Sequence, residues 1–124
     1  MKVLVTGSRD WTFPEVIHGV LDYLPVTHIV HGYARGADRI ARDWAFARGI
    51  PASGHPADWA HDGLAAGPRR NQRMLDLHPD IDLVLAFPLD WSIGTRDMIR
   101  RARRKGVPVL EWKQWRDGAL VEVP

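Results

Sequence analysis

The 124-residue chain contains no cysteine. Disulfide frameworks and thiolate nucleophiles are therefore excluded, while the redox compartment stays open. Its six histidines form no H-x-x-x-H or H-E-x-x-H pattern, so no metal is expected. No Gly-Lys-Ser/Thr occurs and no G-x-G-x-x-G, which removes the P-loop and the dinucleotide fingerprint. Ser8 lacks a G-x-S-x-G setting, so a hydrolase triad is not expected. No apolar run approaches membrane-spanning length. The first residues carry one lysine and a brief apolar run before Ser8, Arg9 and Asp10, which does not read as a secretory signal. A cytoplasmic protein without a membrane partner is the expectation. Internal repeats, linkers and low-complexity segments are absent too.

What is present reads as one domain, 1–124. Apolar residues make up 45% and charged residues 26%, ordinary for a globular chain long enough for a real core. The net charge of +2 is too mild to imply nucleic acid by itself. The cations nevertheless cluster, at Arg69, Arg70 and Arg73 and again at Arg96, Arg100, Arg101, Arg103, Arg104 and Lys105.

Val3, Leu4 and Val5 form a short β-branched run that suits a strand buried on both faces, ending at Gly7. Thr12 to Glu15 fits a capping box, with Trp11 and Val16 as its staple. Val16, Ile17, Val20, Leu21 and Leu24 then trace one helical face, closed by Pro25. A second strand is expected over Thr27–His31. A helix from Gly36 follows, with Ala37, Ile40, Ala41, Trp44 and Ala45 at helical spacing and Gly49 as its stop. Ile50–His55 reads as an edge strand because of Pro51 and Gly54. A loop from Pro56 to Pro68 and a helix from about Pro68 to Leu77 come next. Ile81–Phe87 is the strongest strand signal. A basic helix over Thr95–Lys105 ends at Gly106, and Val107–Trp112 is a fifth strand. Ala119–Val123 adds a candidate edge strand. Strands alternating with helices predict the α/β class: a single Rossmann-like three-layer domain with a mostly parallel five-stranded sheet.

Three strands end in glycine-bearing loops that lead into helices: Thr6–Arg9, His31–Asp38, and Phe87 to Gly94 and Thr95. In a parallel sheet these share one edge, where ligands bind. Helix N-termini present unpaired N–H groups and roughly half a positive charge, which favours phosphate. Ser8 and Thr95 add hydroxyls, and Arg9 and Arg35 add guanidiniums. Several residues carry two readings each. Asp38 either faces a helix dipole or serves a site. Arg69 and Arg70, at a helix start, are either solvated or await an anion. Trp59 either packs or stacks on a base. The 96–105 helix is either a solvated face or a nucleic-acid surface.

With these motifs in place, the chain resembles the SLOG superfamily, in its small YspA/YpsA-like branch. The resemblance rests on V-T-G-S-R-D-W (5–11), H-G-Y-A-R-G-A-D (31–38), H-P-A-D-W (55–59), G-P-R-R-N-Q-R-M (67–74) and A-F-P…G-T-R-D-M (86–98). It implies a Rossmann-like nucleotide-binding domain. Relatives include lonely-guy-type nucleoside-monophosphate phosphoribohydrolases, the DNA-processing protein A domain, and nucleotide sensors of antiphage systems. Arg70 and Met74 match the R-x-x-x-M of the phosphoribohydrolases. Their P-G-G-x-G-T-x-x-E is interrupted by Leu89-Asp90-Trp91-Ser92-Ile93, and its glutamate falls on Met98. Asp97 is one residue away, about a hundred degrees around a helix. Tyr33 stands where relatives often have glycine.

The expected ligand is a nucleotide or nucleotide-derived small molecule, held by a sensor or sequestering domain. The binding residues are taken as Gly7, Ser8, Arg9, Gly32, Arg35, Gly36, Asp38, Trp59, Arg70, Asn71, Pro88, Gly94 and Thr95. No cofactor is expected. The first alternative is cleavage of an N-glycosidic bond, with Asp38, Asp97 and Arg70 as catalytic candidates, because an oxocarbenium-like state needs a nearby carboxylate. The second is a nucleic-acid-binding module. A homodimer stays open as the assembly.

Overall fold

The structure is a computed structural model and describes residues 1–89, 92–114 and 120–123. Its central sheet has the order β3-β2-β1-β4-β5-β6. The first five strands, β1 (Lys2–Gly7), β2 (His28–His31), β3 (Ala52–Gly54), β4 (Leu83–Phe87) and β5 (Val109–Gln114), are parallel. Strand β6 (Leu120–Val123) pairs antiparallel with β5 and closes that edge. Ala119, the first residue of the expected edge strand, lies outside the described residues. So do Asp90 and Trp91 of the loop after β4.

Alternation along β1 makes the layers. Val3 and Val5 join Ile29, Leu83, Leu85 and Phe87 in one apolar cluster, with Ile17 and Leu21 of α1 (Pro14–Tyr23) and Ala41 and Trp44 of α2 (Ala37–Ala47). Leu4 turns the other way and joins Val30, Val84, Met74 and Leu75 of α4 (Ala66–Leu77), and Met98 and Ala102 of α5 (Ile93–Lys105). With period-two side chains, a strand buried on both sides must be apolar throughout. Val3, Leu4 and Val5 are fully buried. None of the described helices is long and apolar enough to cross a membrane.

Helix starts depart from expectation at three places. The Thr12 capping box does not form: Phe13 is the N-cap of α1, with no side-chain cap, and Pro14 is the first helical residue. A residue before proline is pushed out of the helical region, so the helix cannot begin at Phe13. Trp11 instead donates its indole N–H to the Phe13 carbonyl at 2.9 Å. The supposed loop before α4 contains a helical turn, α3 (Trp59–Asp62), followed by a 3-10 turn at Gly63–Ala65. Asp58 caps α3 by accepting from the His61 N–H. Helix α4 thus starts at Ala66, with Pro68 inside its first turn, where a missing N–H costs nothing. Helix α5 likewise starts at Ile93, two residues before Thr95.

Candidate functional site

The chain builds outward from β1 to β2 and β3, then returns to place β4 on the other side of β1. That reversal opens a crevice at the carboxyl ends of β1 and β4, where open α/β sheets take ligands. The two ends are joined by the Ser8 N–H donating to the Phe87 carbonyl at 3.0 Å. Gly7 is required here by close approach: a Cβ would come within 2.5 Å of the Ala37 Cβ and 2.8 Å of the Phe87 oxygen. Ser8 is occupied by the turn itself. Its Oγ accepts from the Asp10 N–H at 3.0 Å, and its carbonyl accepts from Trp11 and Ala37.

The second loop is closed by Asp38, which is 4% exposed. Its carboxylate accepts the Gly32 N–H at 2.8 Å and is also bonded by the Ala34 amide. The Gly32 amide, expected to face an anion, is therefore directed with the Ala34 amide at the protein's own carboxylate. Burial raises the Asp38 carboxyl from 3.8 to about 6, against the opposing pull of Arg70, these two amides and Arg9. Gly36, at φ 78, brings this loop against β1. A Cβ there would fall 2.3 Å from the Ser8 oxygen. At the loop's start His31 is lowered to about 4, by burial first and then by Arg42, His55 and Arg70.

Arg70 is not an uncompensated cation at a helix start. Its Nη1 donates to the carbonyls of Gly32 and His55, and its Nε donates to Asn71 Oδ1 at 3.0 Å. Asn71 Nδ2 in turn donates to the Gly94 carbonyl at 3.1 Å and to Asp97 at 3.0 Å. Asp97 also accepts from Arg101 Nε at 2.8 Å. This chain of bonds ties the β2 loop to α4 and α5. Burial pushes the Asp97 carboxyl up, but the bonds from Arg101 and Asn71 outweigh it and hold the group below its ordinary value.

Among the described residues, no side chain of the third loop caps the N-terminus of α5. Ser92, its N-cap, accepts from the Leu89 N–H rather than capping the helix, and the first turn holds no acidic residue. Thr95, nearly buried, makes no side-chain hydrogen bond among the described residues. Trp59 is 48% exposed, with the Arg9 guanidinium 5.4 Å from its ring centroid.

Together these elements enclose a cleft of about 570 Å³, within the range of small-molecule sites. Gly7, Ser8, Arg9, Asp38, Trp59, Arg70, Asn71, Gly94, Thr95 and Asp97 line it. Gly32 and Arg35 line a smaller neighbouring cavity instead, and Arg35 pairs with Asp10 at 3.4 Å. Gly36 and Pro88 line neither space. Arg100, Leu64 and Ile93 also border the cleft and were not anticipated from sequence. Arg100 sits three residues after Asp97, a helical spacing that could have found it. Met98 points into the core, whereas Asp97 reaches the cleft. On the basic helix, Arg101 and Arg103 are paired with Asp97 and Glu111, and Lys105 donates to the Leu75 carbonyl.

Comparison with known proteins agrees with this architecture. The family model described as "YspA, cpYpsA-related SLOG family" matches residues 1–61, the segment holding the first two loops. Gene 61 protein of Mycobacterium phage D29 is 40% identical over 123 residues, covering 90% of this chain and 95% of that protein. The likeness thus extends past the third loop, and with it the chain belongs to the YspA, cpYpsA-related SLOG family.

Proposed function

We propose that this protein binds a nucleotide or nucleotide-derived small molecule in the larger cleft, as a sensor or sequestering domain. The observation that carries the reading is the open N-terminus of α5. Among the described residues its first turn has neither a capping side chain nor an acid, and it faces a cleft bordered by Arg9, Arg70 and Arg100. Unpaired amides, a helix dipole and guanidiniums converging on one space suit a phosphate. Thr95 supplies a hydroxyl there, and Trp59 a ring for a base. Family membership supports nucleotide-related chemistry in general. Thermal shift and calorimetric titration with nucleoside mono-, di- and triphosphates are the test, since a ligand that binds only the folded state raises its stability. Absence of any shift across the panel would refute the reading.

A second reading, cleavage of an N-glycosidic bond, is favoured by one observation: Asp97 lies in the cleft as a held carboxylate while Asp38 lies there with a raised one. An ionised carboxylate beside a ribose would stabilise an oxocarbenium-like state. Against it, Asp97 is already engaged by Asn71 and Arg101. Chromatography for free base after incubation with nucleoside monophosphates separates the readings. Release at ~1 per second or faster, lost in Asp97→Asn, would establish the enzyme.

A further inference from the structure

The larger cleft has a neighbour. A cavity of about 340 Å³ lies beside it, with Tyr33, Arg35 and Pro56 among its walls. Arg9, Ala34, Trp59 and Arg70 border both spaces, so the two chambers meet where two guanidiniums and an indole come together. Neither guanidinium there is paired with a carboxylate among the described residues. Arg9 makes no side-chain hydrogen bond among the described residues and rests over the Trp59 ring. Arg70 directs Nε and Nη1 at Asn71 and the carbonyls of Gly32 and His55, which leaves its Nη2 for a ligand. Two adjacent cations repel each other: after burial, Arg9 is what weakens the hold of Arg70 on its proton, against Asp38. An anion at the junction would relieve that repulsion, and a fork of N–H donors matches phosphate oxygens.

Tyr33 lines the smaller chamber and is held there under strain. Its φ of 63 is left-handed, and no other described non-glycine residue shares that geometry. The surroundings fix it. Its N–H donates to His31 Nδ1 at 3.1 Å, its ring lies 5.2 Å from the His31 ring, and Arg42 lies 5.8 Å from its centroid. Gly54 leaves the room, since a Cβ there would come within 2.3 Å of the tyrosine ring. A half-exposed aromatic kept in a disfavoured conformation at a chamber wall is the kind of strain that accompanies function.

We infer that the ligand is of the dinucleotide class: one nucleoside in the larger cleft, a short phosphate bridge at Arg9 and Arg70, and a second base against Tyr33 in the smaller chamber. This rests on the nucleotide reading above and adds the second base to it. Stacking on Tyr33 tolerates any base, because each has a π-face.

The test is calorimetric titration with dinucleoside 5′,5′-diphosphates of adenine, guanine, cytosine and uracil, each beside its nucleoside diphosphate. At least one dinucleotide is expected to bind ten times tighter or more than its nucleoside diphosphate, although it carries less charge. Tyr33→Gly removes the ring and suits the positive φ. It is expected to reduce the dinucleotide to the affinity of the nucleoside diphosphate and leave the latter unchanged, while Tyr33→Phe keeps the preference. Equal affinities within every pair would overturn the inference and leave the nucleotide reading standing. Weakening of both ligands alike by Tyr33→Gly would also overturn it, by assigning the ring a structural role. Binding of neither ligand class would refute both.

Discussion

Asp38 and His31 stand at the two ends of one loop and titrate in opposite senses. Burial lifts the Asp38 carboxyl from 3.8 to about 6 despite Arg70, the Gly32 and Ala34 amides and Arg9. The folded state therefore holds this proton more tightly than the unfolded chain does. Its contribution to stability is full below pH 3.8 and is lost as pH rises to about 6. At about 1.4 kcal/mol per pH unit, the loss is roughly 3 kcal/mol. His31 falls from 6.5 to about 4, chiefly by burial. Its neutral form is the folded form, so its contribution is full above pH 6.5 and is lost as pH falls toward 4. That loss is again roughly 3 kcal/mol. Across the shared window the slopes oppose, and this pair is expected to leave the wild-type profile nearly flat. Asp38→Asn removes one slope. Urea unfolding of both proteins, followed by tryptophan fluorescence at stepped pH, reads the result. Wild type minus variant is expected to fall by roughly 3 kcal/mol between pH 3.8 and 6, and the variant alone should become acid-sensitive as His31 acts unopposed. Asparagine turns an NH2 toward one amide that the carboxylate satisfied, a penalty of about 1–3 kcal/mol. That penalty does not vary with pH and leaves the slope intact. A difference curve that is flat or rises with pH would refute the account of a buried, partly compensated carboxylate.

Four further outcomes are expected. Arg70→Lys weakens nucleotide binding by roughly 1–3 kcal/mol, measured by calorimetry, while Arg104→Lys on the basic helix leaves it unchanged. The same Arg70 variant lowers ligand-free stability by about 1 kcal/mol, because lysine cannot span the Gly32 carbonyl and Asn71 Oδ1 together. Gly36→Ala places a Cβ 2.3 Å from the Ser8 oxygen at φ 78, so chemical denaturation should show a loss of roughly 3 kcal/mol or more. Trp59→Ala is expected to weaken nucleotide binding about tenfold with little change in unfolding midpoint, since the ring is half exposed. An unchanged affinity would make it a packing residue against Gly67.

Elements that announce themselves by burial were legible in the chain. The Val3–Val5 run lies within β1, the Ile81–Phe87 run is strand from Leu83 on, and Gly106 ends α5 in the left-handed conformation. Side chains that act across long sequence separations were not legible. Nothing local in Arg70 foretells the Gly32 carbonyl 38 residues away. Gly32 reads as available for phosphate because a carboxylate six residues on gives no sign of folding back over its amide. Helix starts at Ala66 and Ile93 were missed for a related reason. Ala65 is not a capping residue, and Ser92, though of a capping type, accepts from the Leu89 N–H instead of from its helix.

The assignment of the cleft carboxylate shows which sequence signal to prefer when two disagree. Motif alignment put the functional position at Met98, whereas helical periodicity would have put it elsewhere. Thr95, Met98, Ile99 and Ala102 repeat at the spacing of one helical face and are the buried residues of α5. That stripe fixes the rotation of the helix against β4, since turning Met98 toward the cleft would pull Ile99 and Ala102 out of the core. Asp97 is then carried toward α4, within reach of Asn71, with Arg101 one turn further on. A glutamate at 98 would therefore be buried among the apolar side chains of Leu4, Met74 and Val84, a costly place for a carboxylate. Any carboxylate chemistry that α5 contributes to this cleft has to pass through Asp97.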